Sequence, residues 1–319
     1  MDVLLILVLA AHLLCVNVAS AGPVVALWAQ WRRSPVGDTA AATIGRHMAG
    51  VSLWMLAAGI FTGAAALAVV WQANPRAYIG AARQIPSERY WWGGAELLFS
   101  FLMLGIYRGM WDRWRQRRWL HAAFGVVGVT NLVYHFPLLF AAISVLSARP
   151  ETWVEGTLER GQLMALLFDA ETLVRFAHFL LASLAVTGVY LIGYSLRAAR
   201  RSQAEVAAKA MLWGGRLALA ATALQLIFGT LLLLRLPQLS QQTLLGGDLP
   251  GTLMFAGSLL AMLALLHLLA AAALGGATRG QSITAIALMT LTVVTMVGAK
   301  HRAELPIHAR IEAGAASGD

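Results

Sequence analysis

The chain has 319 residues, of which 59% are hydrophobic and 12% charged, a balance far from that of ordinary soluble domains. Apolar runs of the size needed to cross a bilayer, roughly 20 residues, recur along its whole length, which excludes a soluble enzyme and leaves one membrane domain. The net charge of +9 sits in short connections between those runs, where it sets topology rather than binding nucleic acid. A single cysteine, Cys15, excludes an internal disulfide or a cysteine metal cluster.

The apolar pattern predicts an all-α, polytopic membrane bundle of about eight transmembrane helices. The spans are expected near residues 3–30, 47–71, 90–111, 119–147, 172–196, 210–234, 251–274 and 280–299. The first run ends Val18-Ala19-Ser20-Ala21 like a signal peptide, but carries Asp2 in place of a basic start and stays apolar through Trp28. It is therefore read as helix one. Residues 1–300 form one transmembrane domain on this reading, and 301–319 an outer tail that is mobile at its end. Trp71, Trp91, Trp92, Trp111, Trp119 and Trp153 fall near span ends, as interfacial anchors do.

The connections after spans one, three, five and seven carry Arg32, Arg33 and Arg46; Arg113, Arg115, Arg117 and Arg118; Arg197, Arg200, Arg201 and Lys209; and Arg279. The positive-inside rule makes these cytoplasmic and puts both termini outside, in the periplasm of a bacterial inner membrane. Glu88, Glu151, Glu155, Glu159, Asp169, Glu171 and Asp248 then lie on the outer side. The outer connections 73–88, 148–171 and 235–250 are too short to form a domain of their own.

Ionisable groups inside spans are costly and therefore functional candidates. Counted from the outer helix ends, His12, His178 and Glu96 lie at one depth, roughly 10 to 14 Å in. His135 lies deeper and His301 at the outer surface. His47 and His121 are expected at the inner surface, and His267 in the inner half of span seven, where His47 is its only candidate partner. Imidazoles projecting from different helices of a bundle are what axial ligation of a haem iron needs. Hydrogen bonding across helix interfaces is the alternative for each of them. Met254 and Met262 are the methionines placed to act as ligands, and Gly214-Gly215 and Gly246-Gly247 allow tight helix contacts or a turn. No His-Glu-x-x-His, Cys-x-x-Cys-His or phosphate-cradling glycine motif occurs.

Span three reads Glu96-Leu97-Leu98-Phe99 and exits through Gly109-Met110-Trp111-Asp112-Arg113-Trp114, before a basic loop and a span holding Asn131-Leu132. Span five carries Val174-Arg175-Phe176-Ala177-His178, then Ala182-Ser183 and Thr187-Gly188. These stretches, with His12 early in span one, resemble subunit I of the cytochrome bd-type quinol oxidases. The resemblance covers spans one to five and, more loosely, continues through span seven. It implies haem b near the outer face, with His12 and His178 as metal ligands and Glu96 as ligand or proton acceptor. His135 or His301 is the expected replacement second ligand for the His178 haem.

The chain departs from that family's pattern at several places. Leu260 stands where a methionine would complete the His178 haem, and Ser258 where an arginine would neutralise it. Only Glu96 remains of two acids on span three, about one turn from either position, and the long outer quinol loop is missing. Near its place, Lys300 and Arg302 are expected to meet a quinone head group or a haem propionate.

The expected activity is electron transfer by an oxidoreductase subunit between membrane quinone and a partner, either other subunits or a cytochrome c steered by the outer acids. A functional quinol oxidase that reduces oxygen is one alternative, and a cofactor-free scaffold or proton-coupled transporter the other.

Overall fold

A computed structural model describes residues 2–32, 39–73 and 75–316; Arg33 and the last three residues of the expected tail lie outside that range. No strand occurs among the described residues. The long helices are α1 (Asp2–Arg32), α2 (Ala40–Ala73), α4 (Ser87–Gly109), α5 (Arg118–Tyr134) continued by α6 (Phe136–Ala148), α8 (Ala170–Arg200), α9 (Ala204–Arg235), α11 (Leu249–Ala273) and α12 (Arg279–Ala316). Between them lie the short helices α3 (Pro75–Arg83), α7 (Arg160–Leu167) and α10 (Gln238–Gln242).

Seven segments among the described residues are long and apolar enough to cross a membrane, with α5 and α6 counted as one. In α4, Trp91, Trp92, Gly93, Gly94 and Glu96 dilute the apolar character. It nonetheless traverses the bundle, because its exit residue Asp112 pairs with Arg46 of α2, 3.0 Å away at the arginine-rich end. With α4 the described residues make eight crossings, an even number. Accordingly Asp2 of α1 and His301 of α12 meet at the same end, 3.5 Å apart. That acid-rich end is called outer here and the opposite one inner, following the charge pattern.

Two departures from the expected spans have local causes. Span four is broken at His135, where α5 stops and α6 starts, because Pro137 has no N–H to bond the preceding turn and disfavours helical backbone at Phe136. The segment after Lys300, expected as a tail, continues α12 as far as Ala316, with Pro306 inside the helix. Buried Ala303, Glu304, Ile307 and His308 hold this extension against its neighbours.

The transmembrane core is built on small residues. A Cβ on Gly188 of α8 would lie 2.6 Å from the Ala218 nitrogen of α9, and one on Gly215 of α9 2.4 Å from the Ala272 carbonyl carbon of α11. Backbones therefore touch on both sides of α9, the close approach on which helix association in lipid depends. Along α1, buried Asn17 accepts a hydrogen bond from Ser183 Oγ at 2.9 Å, tying α1 to α8.

Two of the outer connections, 73–88 and 148–171, though short, pack into a cap over one end of the bundle. Ala81, Ile85, Leu158 and Leu163 from the connections bury against Leu139, Ile143 and Leu146 of α6. Gln84 holds two of the connections together. Its side chain donates to the Val154 carbonyl (3.2 Å) and accepts from the Val154 N–H (2.8 Å), while its own carbonyl accepts from the Leu158 N–H (2.8 Å). Such pairing is what buried backbone in a connection requires. Of the expected interfacial tryptophans, Trp71, Trp91, Trp92 and Trp119 are exposed on the bundle surface. Trp153 is half-buried and donates to the Leu146 carbonyl, and Trp111 is fully buried, its ring filling the space left by Gly45 of α2.

Candidate functional site

His12 and His178 stand on α1 and α8, which run in the same direction. Each lies five residues outward of the Asn17–Ser183 hydrogen bond, about 7.5 Å by helical rise. The two imidazoles therefore share one layer in the outer half of the bundle.

His12 Nδ1 lies 2.9 Å from the Gly59 carbonyl oxygen of α2. A carbonyl only accepts, so Nδ1 carries the proton and Nε2 keeps its lone pair. The ring lies directly over Gly63, where a Cβ would be 2.8 Å from Cε1. Gly59 and Gly63 thus give the imidazole both its anchor and its space. An imidazole held through one nitrogen on a backbone carbonyl, with the other free, has the arrangement typical of metal-binding histidines. His178 faces Gly229 of α9, where a Cβ would lie 3.6 Å from Cε1. Its Nδ1 is buried and makes no hydrogen bond with the protein. A buried polar atom left so costs on the order of 1–3 kcal/mol.

Among the described residues no group of three or more His, Cys, Asp or Glu side chains is placed to hold a bare metal ion. A haem brings its own four nitrogens and asks the protein only for axial donors. Two histidines with a free or unsatisfied ring nitrogen, on separate helices in one layer, fit that demand.

Glu96 pairs not with this layer but with His135, whose Nδ1 meets its carboxylate. Asn131, one turn before His135, donates to the Glu96 carbonyl and to Ser100 Oγ, both at 2.8 Å, and locks α5 to α4 below the pair. Counting along a straight span placed His135 deeper than Glu96. The joint at His135 and the reach of the two side chains bring them together.

The remaining candidates are engaged elsewhere. Lys300 is bound to Glu304 at 2.8 Å, and Tyr78 of α3 donates to the same carboxylate at 2.6 Å. Lys300 also lies over the Tyr78 ring, and buried His308 packs edge-on against it. Burial first, and then the Glu304 charge, push the Tyr78 phenol well above its usual range, so it remains a donor. Arg302 forms a two-point pair with Asp248, 2.5 and 2.9 Å. These two residues line a cleft of about 280 Å³ with Leu305 and Pro306. His301 faces Asp2.

Leu260 points away from the bundle, while Ser258 is fully buried with its hydroxyl donating to Phe255 O. Met254 packs on Gly298 of α12, and Met262 is buried on the other side of α11 from Leu260. His267 is exposed on α11, and His47 bonds Tyr190 instead. His121, expected at the inner surface, is fully buried with Nε2 on the Tyr107 carbonyl at 2.6 Å. Gly125 and Gly128 let α5 approach α4 closely enough for that contact.

Two buried networks at the outer end escaped the sequence reading. One is Tyr78–Glu304–Lys300. The other is Glu171, nearly buried between Arg149 (2.8 Å) and Arg175 (2.6 Å). Their helical halves were visible as Lys-x-x-x-Glu and Glu-x-x-x-Arg spacings; the partners from distant connections carried no such signal.

In sequence, no known family and no curated protein matches the chain. In architecture it is similar to the solved structure of bd oxidase from Geobacillus thermodenitrificans. The TM-score is 0.72 at 15% identity, over 95% of this chain and 86% of that one. The chain therefore has the fold of that polytopic helical protein.

Proposed function

We propose that this chain is a bd-like haem b subunit of a bacterial inner membrane, moving electrons near its outer end between membrane quinone or quinol and a redox partner. The observation that carries the reading is His12, fixed through Nδ1 on the Gly59 carbonyl with Nε2 left free. Haem b held there would supply a one-electron iron centre. His12 would bind iron through Nε2, and His178, buried and unsatisfied in the same layer but facing α9 rather than α2, would ligate the haem it governs.

The Glu96–His135 pair would be the proton-handling group of this reading, because it joins a carboxylate to an imidazole, the side chains most used for proton transfer. Lys300 is committed to Glu304. Arg302, on the wall of the outer cleft, is the cation that a quinone head group would meet there, in competition with Asp248. Glu171 and Asp248 are neutralised by arginines and cannot steer a partner. Glu88, Glu151, Glu155 and Glu159 are exposed, and would draw a basic cytochrome c or a basic face of another subunit.

The experiment is an absorbance spectrum of the purified protein before and after dithionite. Wild type should show a reduced haem b band, and His12→Ala and His178→Ala should each lose most of the haem they govern. Full haem content in both variants would overturn the ligand assignment. A spectrum without haem would instead favour the cofactor-free scaffold or proton-coupled transporter. The shared fold favours one further reading, a quinol oxidase in its own right, which predicts oxygen consumption when quinol is added to the purified protein.

A further inference from the structure

The inner end holds an arrangement that electron transfer at the outer end does not use. His47, near the start of α2, stacks on Tyr194 of α8 with ring centroids 3.9 Å apart, and its Nε2 meets the Tyr190 hydroxyl at 2.9 Å. Arg108, in the last turn of α4, lies against α2 one turn further on. A Cβ on Gly50 would be 3.1 Å from Arg108 Nε, so the missing side chain makes room for the guanidinium. Arg197 and Arg201 of the α8 end act electrostatically on both His47 and Tyr194.

The carboxylate that acts on Arg108 is Asp112, and it is already paired with Arg46 at 3.0 Å. Among the described residues, no hydrogen bond or ion pair engages the side chains of Arg108, Arg197 or Arg201. Exposed arginines at this end are accounted for by topology alone. Arg108 is half-buried, held in a glycine-made gap beside a stacked aromatic pair, and lacks a free counter-charge.

We propose that this place binds the phosphate of an anionic phospholipid head group, with Arg108 as its central cation and Arg197 and Arg201 at its rim. Guanidinium groups suit phosphate because they offer several donors in one plane. A lipid is favoured over a free phosphate because the site continues into apolar surface. Trp54, two turns along α2 from His47, is 77% exposed, and Phe101 and Leu102 are exposed on α4.

The test is native mass spectrometry of the detergent-purified full chain, titrated with phosphatidylglycerol or phosphatidylcholine. Phosphatidylglycerol should be retained preferentially, and Arg108→Gln should weaken its retention about fivefold, the effect of one cation near a charged lipid. Gly50→Ala should weaken it too by displacing Arg108, since the new methyl meets only that flexible side chain. This variant decides the matter should Arg108→Gln fail to fold. Arg200→Gln, an exposed charge outside the cluster, should leave retention unchanged. Equal losses in the Arg108 and Arg200 variants would overturn the site in favour of a diffuse basic surface. Displacement of the lipid by inorganic phosphate would overturn the lipid as its occupant.

Discussion

At Asp248 two hydrogen bonds act on one carboxylate: Arg302 grips it from α12, and the Gly251 N–H caps it from the first turn of α11. Arg302 first, and then the Gly251 N–H, hold its carboxyl below the ordinary value of 3.8. Because the folded-state value is depressed, the stabilisation is present above 3.8 and is lost as pH falls through the lower folded value. Asp248→Asn should thus lower the thermal midpoint at neutral pH and flatten its decline below about pH 4. Parallel declines in variant and wild type would mean that the pair contributes nothing to acid stability.

Other residues differ in how far the sequence disclosed them. The layer of His12 and His178 follows from helical rise alone, because α1 and α8 start at the same end and each histidine lies five residues from the Asn17–Ser183 contact. The Glu96–His135 pair does not, because its geometry depends on a joint that counting along one helix ignores. Tyr78 and Glu304, 226 residues apart, meet only because α12 outruns its expected end.

The helices themselves pack through absences of side chain. In α9, Gly214 faces Gly188 of α8 at 2.5 Å from a notional Cβ to the carbonyl oxygen, and Gly215 faces the backbone of α11 on the other side. Adjacent glycines thus serve two different interfaces. Gly215→Val should push α11 away and cost about 1–3 kcal/mol, as overpacking of a tight core does, read as a lower thermal midpoint in detergent. Gly257→Ala, where a Cβ meets open space, should cost nothing. Equal effects would show that glycine at 215 serves some purpose other than close approach. The type and rough placement of the long helices were legible from the apolar runs, but the short helices α3, α7 and α10 and the break at His135 were not. Nor were the helix contacts, since small residues look alike whether they face lipid or another helix.

For the molecule as a whole, direction is carried by charge and architecture by packing. The arginine-rich connections predict which end faces the cytoplasm, and the eight crossings put Asp2 and His301 together at the other end. A cysteine placed at exposed Glu155 of the outer cap should react with a membrane-impermeant maleimide in intact spheroplasts. One placed at exposed Arg200 should react only after lysis. The reverse pattern would invert the orientation and with it the proposed sidedness of electron transfer. The cap itself was not legible as a packed unit: its core residues are scattered over separate connections, none with a helical or alternating pattern long enough to stand out.

Cys15 gives this architecture a built-in reporter. It is the chain's one thiol, half-buried on α1 one turn inward of His12, with its Cβ 3.8 Å from where a Gly59 side chain would begin. A nitroxide or small fluorophore attached there would sit in the α1–α2 seam without any engineered residue. Its mobility would record whether that seam tightens or parts when quinol or dithionite is added.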